Sequence, residues 1–291
     1  MQLLNGKSQS DTLLARYQVA VNRLKQKNIT PKLVVITVGE DPASKVYVSQ
    51  KQKKALQVGM DFEWVKLPEE TTQATLNAQI EHYNQDAQTH GMIVQFPLPA
   101  HLDKFETIAQ IAPEKDVDGF HPENVGKLAL EQGVLYPCTP KGVVSLLKAY
   151  GIRIEGQDIA VIGRSHVVGL PLSILLANMG GTVSICSRNT KDITKFTKDA
   201  DIVVVAAGSP GLVGADHVKE GVVVVDVGIN RLSNGKLVGD VRFDEVKEKA
   251  SFITPVPGGI GPMTVAMLLE QTILCACLQN HLDLLDFLES E

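Results

Sequence analysis

The sequence has no uninterrupted run of about 18 apolar residues, the length that a membrane-spanning helix needs. Its polar start, Met1 to Asp11, contains no hydrophobic stretch that would serve as a signal peptide. Basic residues never form a block of more than a few, and the net charge is −5, so a nucleic-acid partner is not expected. We therefore expect a cytoplasmic protein that binds neither membranes nor nucleic acids.

The sequence also lacks the spacing of a metal site. Its four cysteines and seven histidines follow no ligand pattern, and no magnesium motif occurs. Cys275 and Cys277 lie in an apolar, helix-like run, where buried thiols are the ordinary interpretation. We expect no metal and a reducing compartment.

What is present is the composition of a globular protein with one large or two medium domains: 291 residues, 44% hydrophobic and 21% charged. Short apolar runs alternate with helical patterns, which predicts parallel sheets in an α/β fold. The predicted strands are 33–38, 62–65 (the weakest), 92–96, 159–162, 183–186, 202–206 and 222–227. The predicted helices are 11–27, 43–58, 72–86, 141–150, 168–179 and 263–280. Turn-rich segments place a domain boundary near 120–150, and we expect two α/β domains with a cleft between them.

The segment from Ile253 to Thr264 combines three prolines and three glycines and then passes into an apolar helical pattern. Proline fixes the backbone, whereas glycine permits positive φ and the close approach of a ligand. Such a segment is either an ordinary rigid loop or a binding loop on a rigid scaffold.

The segment 157–171 has the pattern strand, glycine turn, helix. This arrangement brings backbone N–H groups and a helix N-terminus to one point, which suits a pyrophosphate. The motif is weak by itself, because Ser165 holds the middle position and the next glycine after Gly163 is Gly169. A purely structural turn is the alternative.

The following strand indicates which dinucleotide would bind. NAD enzymes tend to place an acid there for the ribose 2′-hydroxyl, but this sequence has Ser187 and Arg188. Together with Arg164 in the turn, they suit a 2′-phosphate, since guanidinium pairs well with phosphate oxygens. We predict NADP, with a merely solvated Arg188 as the alternative.

A second pattern lies near the N-terminus, where Asp41 and Pro42 resemble the start of a helix. Ser44, Tyr47 and Lys51 then share one helix face at spacings of three and four. This face is a solvated stripe or part of a site, and its spacing alone favours the stripe.

These residues belong to a longer set of motifs that resembles bifunctional methylenetetrahydrofolate dehydrogenase/methenyltetrahydrofolate cyclohydrolase. The motifs occur in the family's order and cover nearly the whole chain. The matching segments are 38–51, 94–99, 116–122, 137–140, 163–165, 226–230, 238–241 and 254–264.

The resemblance implies two domains: a folate-binding catalytic domain of residues 1–138 plus 263–291, and a Rossmann-like NADP-binding domain of residues 139–262. The C-terminal helix would pack back on the first domain. It also implies a homodimer in one-carbon metabolism, with tetrahydrofolate interconversion that serves purine biosynthesis.

The site residues follow from the same resemblance. Lys51 would be the catalytic lysine with Gln95 beside it, Tyr47 would stack on the pterin, and Asp118 would hold the pterin's polar edge. The implied folate neighbours in the Pro–Gly segment are Pro257, Gly258 and Gly259. The implied cofactor contacts are Gly163, Arg164, Ser165, Ser187, Arg188 and Ile229.

Two other functions fit part of the sequence. An NADP-dependent dehydrogenase of another small substrate would explain the cofactor motif, but not Tyr47, Lys51, Gln95 and Asp118 together. A non-catalytic NADP-binding protein would not need Lys51 or Gln95.

Overall fold

The computed structural model describes residues 1–283 and 287, in which helices alternate with mostly parallel strands. The strands are β1 (Gln2–Leu3), β2 (Lys32–Val38), β3 (Asp61–Leu67), β4 (Gly91–Val94), β5 (Asp158–Ile162), β6 (Thr182–Cys186), β7 (Ile202–Val205), β8 (Val223–Asp226), β9 (Asn230–Arg231), β10 (Leu237–Val238) and β11 (Phe252–Ile253). The helices are α1 (Gly6–Gln26), α2 (Pro42–Gln57), α3 (Gln73–Gln85), α4 (Lys104–Gln110), α5 (Pro122–Ala129), α6 (Cys138–Ala149), α7 (Gly169–Asn178), α8 (Thr194–Thr197), α9 (Phe243–Val246) and α10 (Ile260–Gln279), with a short 3₁₀ turn at Ala215–His217.

The chain divides into two compact units. The three-stranded unit comprises Thr12–Lys127, Gly133–Tyr136 and Val265–Glu291, and the six-stranded unit comprises Met1–Asp11, Leu128–Gln132 and Pro137–Thr264. The chain returns to the three-stranded unit at Val265. The structure differs from the predicted domain bounds at the N-terminus, because β1 pairs with β11 and so places the first residues in the six-stranded unit.

The three-stranded unit is built on a parallel sheet in the order β3-β2-β4. The central strand β2 is buried from Leu33 to Val38, and one of its faces packs on Leu76 and Ile80 of α3. Burial of each such side chain stabilises the fold by about 1.5–3 kcal/mol. The edge strand β3 is only half-buried, which explains why its sequence signal is the weakest.

The six-stranded unit contains a parallel sheet in the order β1-β11-β8-β7-β5-β6. The valine-rich strands β7 and β8 are fully buried, as expected for parallel strands covered on both faces. Because the strands are parallel, the segments that follow β5, β6, β7, β8 and β11 all start at one edge of the sheet. The predicted Rossmann-like fold is therefore confirmed.

Helix α10 is the longest apolar stretch among the described residues that the membrane-span criterion selects. It has 20 residues and a mean hydropathy of 1.5, so by length and composition it could span a membrane, although no such segment was expected. Within that apolar window, 72% is buried inside the protein. This burial is typical of a core helix.

Candidate active site

The central pair of the three-stranded unit is Lys51 and Gln95. Lys51 Nζ donates a hydrogen bond of 2.9 Å to Gln95 Oε1. Gln95 follows β4 directly, and its Nε2 donates to the Phe96 carbonyl at 2.7 Å. The amide is thereby oriented with its oxygen towards the ammonium group. The structure brings these two predicted residues into contact at the carboxyl end of the sheet, and both are partly buried.

The start of α2 explains how Lys51 and Tyr47 are placed. Asp41 caps the helix by accepting from Ser44 N at 2.7 Å, and Pro42 occupies the first turn. Ser44 is 7% exposed, so it belongs to the fold rather than to an open face. Tyr47 is 46% exposed, and its ring is therefore available to a ligand. The helix start at Asp41 and Pro42 predicted from the sequence is confirmed.

Asp118 lies in a turn that follows the single bridge between Met92 and Asp116. It is half-buried and lines a largely apolar depression together with Ile93, Val94, Phe96 and Phe120. A carboxylate at the rim of an apolar surface suits a flat heterocycle with N–H groups along one edge.

Asp116 is the residue of this site that the sequence analysis did not single out. It is 2% exposed and accepts from His121 N at 2.7 Å and from Asn124 Nδ2 at 2.9 Å. Burial raises the pKa of this carboxyl, and its hydrogen bonds oppose the rise. Asp116 therefore holds both ends of the turn that carries Asp118. The repeated Asp-x-Asp was visible in the sequence, but which Asp faces inward was not.

Lys115 fixes the approach to the same turn. Its Nζ is buried and donates to three carbonyls at the C-terminal end of α3, at 3.0 Å to Tyr83, 2.7 Å to Asn84 and 2.7 Å to Asp86. A cation at the C-terminus of a helix is favoured by the helix dipole. The turn is thus anchored to α3 immediately before Asp116.

The glycine turn of the six-stranded unit lies between β5 and α7. Gly163 has a φ of +118°, and a Cβ there would lie 2.1 Å from the Ala206 carbonyl oxygen. A Cβ on Gly169 would lie 1.9 Å from the oxygen of Gly163. Only glycine fits at either position, although the spacing is not that of the common dinucleotide motif. Helix α7 then begins without a side-chain cap. A helix N-terminus suits an anion, because its free N–H groups and the helix dipole face it.

Ser187 and Arg188 follow β6, which pairs with β5 so that Ile162 lies opposite Cys186. Gly163 N donates to the Cys186 carbonyl at 2.9 Å, so the glycine turn and the Ser187 turn start side by side. Arg164, Ser165 and Arg188 are exposed. A glycine cradle beside two exposed arginines, with no acid directly after β6, fits the phosphates of NADP.

The remaining predicted residues of this unit lie in two further loops. Ile229 follows β8 and is 45% exposed. The Pro–Gly segment, with Pro257 after a cis peptide bond and Gly258 at a φ of +106°, follows β11. Gly258 O accepts from Lys7 N at 2.9 Å, and a Cβ on Gly6 would lie 1.9 Å from the Gly259 oxygen. The segment is therefore held against the start of α1.

Comparison with known proteins assigns both units to one family. A model of the tetrahydrofolate dehydrogenase/cyclohydrolase catalytic domain matches residues 4–118, and a model of the same family's NAD(P)-binding domain matches residues 137–280. The chain belongs to the tetrahydrofolate dehydrogenase/cyclohydrolase family. The family recognised from the sequence motifs is therefore confirmed.

Members of this family are similar to the chain over nearly its full length. The bifunctional protein FolD of Exiguobacterium sibiricum is 49% identical over 274 residues, which are 94% of this chain and 99% of that protein. The crystal structure of the bifunctional enzyme FolD, a methylenetetrahydrofolate dehydrogenase/cyclohydrolase from Campylobacter jejuni, matches with a TM-score of 0.95 and 50% identity over 97% of this chain and 100% of the other. A Trypanosoma brucei FolD, crystallised with NADP cofactor and inhibitor, matches with a TM-score of 0.90 and 38% identity over 94% and 96%.

Proposed function

We propose that this chain is a bifunctional one-carbon folate enzyme. It oxidises 5,10-methylenetetrahydrofolate with NADP⁺ to 5,10-methenyltetrahydrofolate and hydrolyses that product to 10-formyltetrahydrofolate. The observation that carries the proposal is the 2.9 Å hydrogen bond from Lys51 to Gln95 in a chain that contains both domains of the family. This pair supplies a proton-transfer group, which hydrolysis needs more than hydride transfer does.

The dehydrogenase step depends mainly on alignment. In the substrate, the one-carbon unit lies between two nitrogens whose lone pairs help to expel a hydride. When bound, NADP⁺ supplies the hydride acceptor. The chain's part is to hold the two molecules: the turn Gly163-Arg164-Ser165 suits the pyrophosphate, and Arg164 with Ser187 and Arg188 suits the 2′-phosphate. The exposed Ile229 offers an apolar contact to the same cofactor.

The cyclohydrolase step needs proton transfers. Water adds to the central carbon of the methenyl cation and loses one proton, which gives a neutral hydroxyl adduct. The hydroxyl then loses its proton as the formyl carbonyl forms, and the bond from that carbon to N5 breaks. N5 gains one proton, so the net reaction consumes water and releases one proton. Lys51 exchanges these protons, while the neutral amide of Gln95 orients the lysine without adding charge beside a cation.

The folate is held by the other residues of the three-stranded unit. The exposed ring of Tyr47 stacks on the pterin, and Asp118 accepts from the amino and ring N–H groups at its edge. The resemblance also assigns Pro257, Gly258 and Gly259 of the six-stranded unit to the folate. Each of these roles rests on the resemblance of the motifs, and for Tyr47 the exposure of the ring supports it as well.

Lys51→Met tests the proposal. We expect cyclohydrolase activity to fall by about two or more orders of magnitude, the range for general acid–base catalysis, while dehydrogenase activity survives better. The measurement is the rise and decay of methenyl absorbance with methylenetetrahydrofolate and NADP⁺.

Lys54→Met is the matched control, because Lys54 also lies on α2 and also bonds a glutamine, Gln57, at 3.2 Å. It should leave both rates near those of the wild type. Equal loss of both activities in Lys51→Met would mean that the lysine mainly positions the folate. Absence of any methenyl product with the wild type would contradict the proposed function itself.

The proposal includes a cytoplasmic homodimer. The four cysteines are buried thiols, which suits a reducing compartment. Strand β6 is an edge strand of the six-stranded sheet, and its Ile185 is 40% exposed, so this edge is suited to a subunit contact. Sedimentation equilibrium measures the mass directly, and a single species of one chain would contradict the dimer.

A further inference from the structure

Two aspartates are buried side by side at the carboxyl edge of the six-stranded sheet, and neither has a role in the function proposed above. Asp240 is 0% exposed and Asp226 is 4% exposed. Carboxylates are seldom buried so completely unless strong hydrogen bonds satisfy them. The partners of these two are therefore informative.

Asp240 binds the loop that follows β7. Its Oδ2 accepts from the backbone N–H groups of Ala207 at 2.7 Å and Gly208 at 2.8 Å. Its Oδ1 accepts from Ser209 N at 2.8 Å and from Asn230 Nδ2 at 2.8 Å. Three successive amides of one loop thus point at a single carboxylate.

Asp226 in turn holds Asp240. Its Oδ1 accepts from Gly228 N at 2.9 Å and from Asp240 N at 3.0 Å, and its Oδ2 accepts from Val241 N at 2.9 Å. The backbone N–H of Asp226 donates to Thr254 Oγ1 at 2.7 Å, at the start of the Pro–Gly segment. The two carboxylates therefore connect the loops after β7 and β8, and the backbone N–H of Asp226 links them to the segment after β11.

The two glycines that flank the pair of carboxylates have no room for a side chain. A Cβ on Gly228 would lie 2.4 Å from Asp240 Cγ, and a Cβ on Gly239 would lie 1.9 Å from Asp226 Oδ2. The close approach of backbone to carboxylate on both sides makes the loop geometry depend on these two side chains.

The loop that Asp240 holds also packs against the glycine turn. Ala206 N donates to the Ile162 carbonyl at 2.7 Å, and it is the Ala206 oxygen that would clash with a Cβ on Gly163. Ile229, the proposed apolar contact to the cofactor, lies between Asp226 and Asn230 in the chain. A shift of the 206–209 loop would therefore displace the surface on which the dinucleotide lies.

We propose that Asp240, held in place by Asp226, is a positioning residue for the NADP⁺ site. It acts through the backbone of Ala207, Gly208 and Ser209 and through Asn230, and it does not itself touch the cofactor. The inference rests on the proposed function for the identity of the ligand. Apolar packing could not replace this carboxylate, because the three loop N–H groups and Asn230 would be left without an acceptor.

The variants Asp240→Asn and Asp226→Asn test this inference. Each keeps the size of the side chain but replaces one acceptor oxygen with an amide that repels a backbone N–H. We expect the Kd for NADP⁺, measured by calorimetry on the full chain without folate, to rise about tenfold or more. Cyclohydrolase kcat on methenyltetrahydrofolate, a reaction that uses no NADP⁺, should stay within about twofold of the wild type.

Asp201→Asn is the matched control. Asp201 also accepts from a backbone N–H, that of Asp158 at 2.9 Å, and from Lys219 Nζ at 2.6 Å, but it lies at the amino edge of the same sheet. This variant should leave the Kd for NADP⁺ unchanged. Asn230→Ala, which removes one donor to Asp240, is the milder variant if Asp240→Asn does not fold, and it should raise the Kd about threefold.

An unchanged Kd in Asp240→Asn and Asn230→Ala would overturn the inference. So would a loss of cyclohydrolase kcat in proportion to the loss of NADP⁺ affinity, because that result indicates general damage to the fold. A wild type that binds NADP⁺ but does not turn over methylenetetrahydrofolate would contradict the proposed function alone, since the calorimetric comparison needs no folate.

Discussion

At the scale of single residues, Arg164 tests the choice of cofactor. Arg164 is exposed in the glycine turn. It follows Gly163, a position where only glycine fits. We expect Arg164→Ala to weaken NADP⁺ by about 1.5–3 kcal/mol, the range for hydrogen bonds to charged groups, with little effect on NAD⁺. The measurement is kcat/KM for both cofactors.

Ser187→Asp should reverse or flatten the preference, because a carboxylate repels a 2′-phosphate and accepts from a free 2′-hydroxyl. Arg153→Ala serves as the control, since Arg153 is an exposed arginine of the same unit that pairs with Glu155. If Arg164→Ala weakened NAD⁺ and NADP⁺ equally, Arg164 would be a pyrophosphate or structural residue.

Asp118 is the second residue whose role can be measured alone. Asp118→Ala should leave donors of the pterin without an acceptor and weaken folate binding by about 1.5–3 kcal/mol. The Kd for NADP⁺ should hardly change. Calorimetry with tetrahydrofolate checks the first expectation, and Asp118→Asn, which keeps one acceptor, should lose less. Normal folate affinity in Asp118→Ala would show that this acid only shapes the turn at Gly119.

The site residues that the sequence indicated bind other side chains, whereas those that it did not indicate bind backbone N–H groups. Lys51 and Gln95 stand in motifs, and the structure brings their side chains together as expected. Asp116, Asp226 and Asp240 act on backbone N–H groups of loops. Every residue type except proline carries such a group, so no spacing in the sequence reveals these contacts.

At the scale of helices and strands, the long apolar patterns were predicted well because burial dictates them. Each predicted strand and helix exists, with ends that differ by a few residues. Helices α4 and α5, of 7 and 8 residues, were not predicted. Short helices of this kind depend on caps such as Asp103, which accepts from Phe105 N and Glu106 N, and on tertiary contacts, because a helix so short is not stable alone.

The end of strand β8 provides a prediction about pH. Burial, reinforced by the neighbouring Asp240 carboxylate, raises the pKa of Asp226 to about 6. The folded protein therefore holds this proton more tightly than the unfolded chain, and stability from this group is largest at low pH and is lost as the pH rises through about 6. Between about pH 4.5 and 7.5, the free energy of unfolding should fall by about 2 kcal/mol because of this group.

Denaturant unfolding of the wild type and Asp226→Asn across this range checks the prediction. Asparagine does not titrate, so the free energy of unfolding of the wild type should fall relative to the variant as the pH rises. A constant difference between the two proteins would show that Asp226 keeps its charge throughout, stabilised by its three backbone donors.

At the scale of the whole molecule, the two-domain organisation follows from the alternation of strands and helices and from the order of the motifs. The place of the first residues does not. Strand β1 has two exposed residues, Gln2 and Leu3, and its partner β11 lies about 250 residues away in the chain. A two-residue strand has no hydrophobic periodicity, and its distant partner cannot be inferred from the sequence. The predicted first domain therefore began at residue 1.

The last prediction concerns the coupling of the two activities. Lys51, Gln95 and Asp118 belong to one unit, and we expect both reactions to use a single bound folate. Part of the methenyl intermediate should then be hydrolysed before it is released. In a rapid-quench experiment with methylenetetrahydrofolate and NADP⁺, 10-formyltetrahydrofolate should form with less lag than release into solution requires.

The control supplies free methenyltetrahydrofolate, whose hydrolysis rate sets the lag for full release. Lys51→Met, in contrast, should accumulate free methenyl product. A full lag in the wild type, equal to that of the control, would argue that the two activities use separate sites.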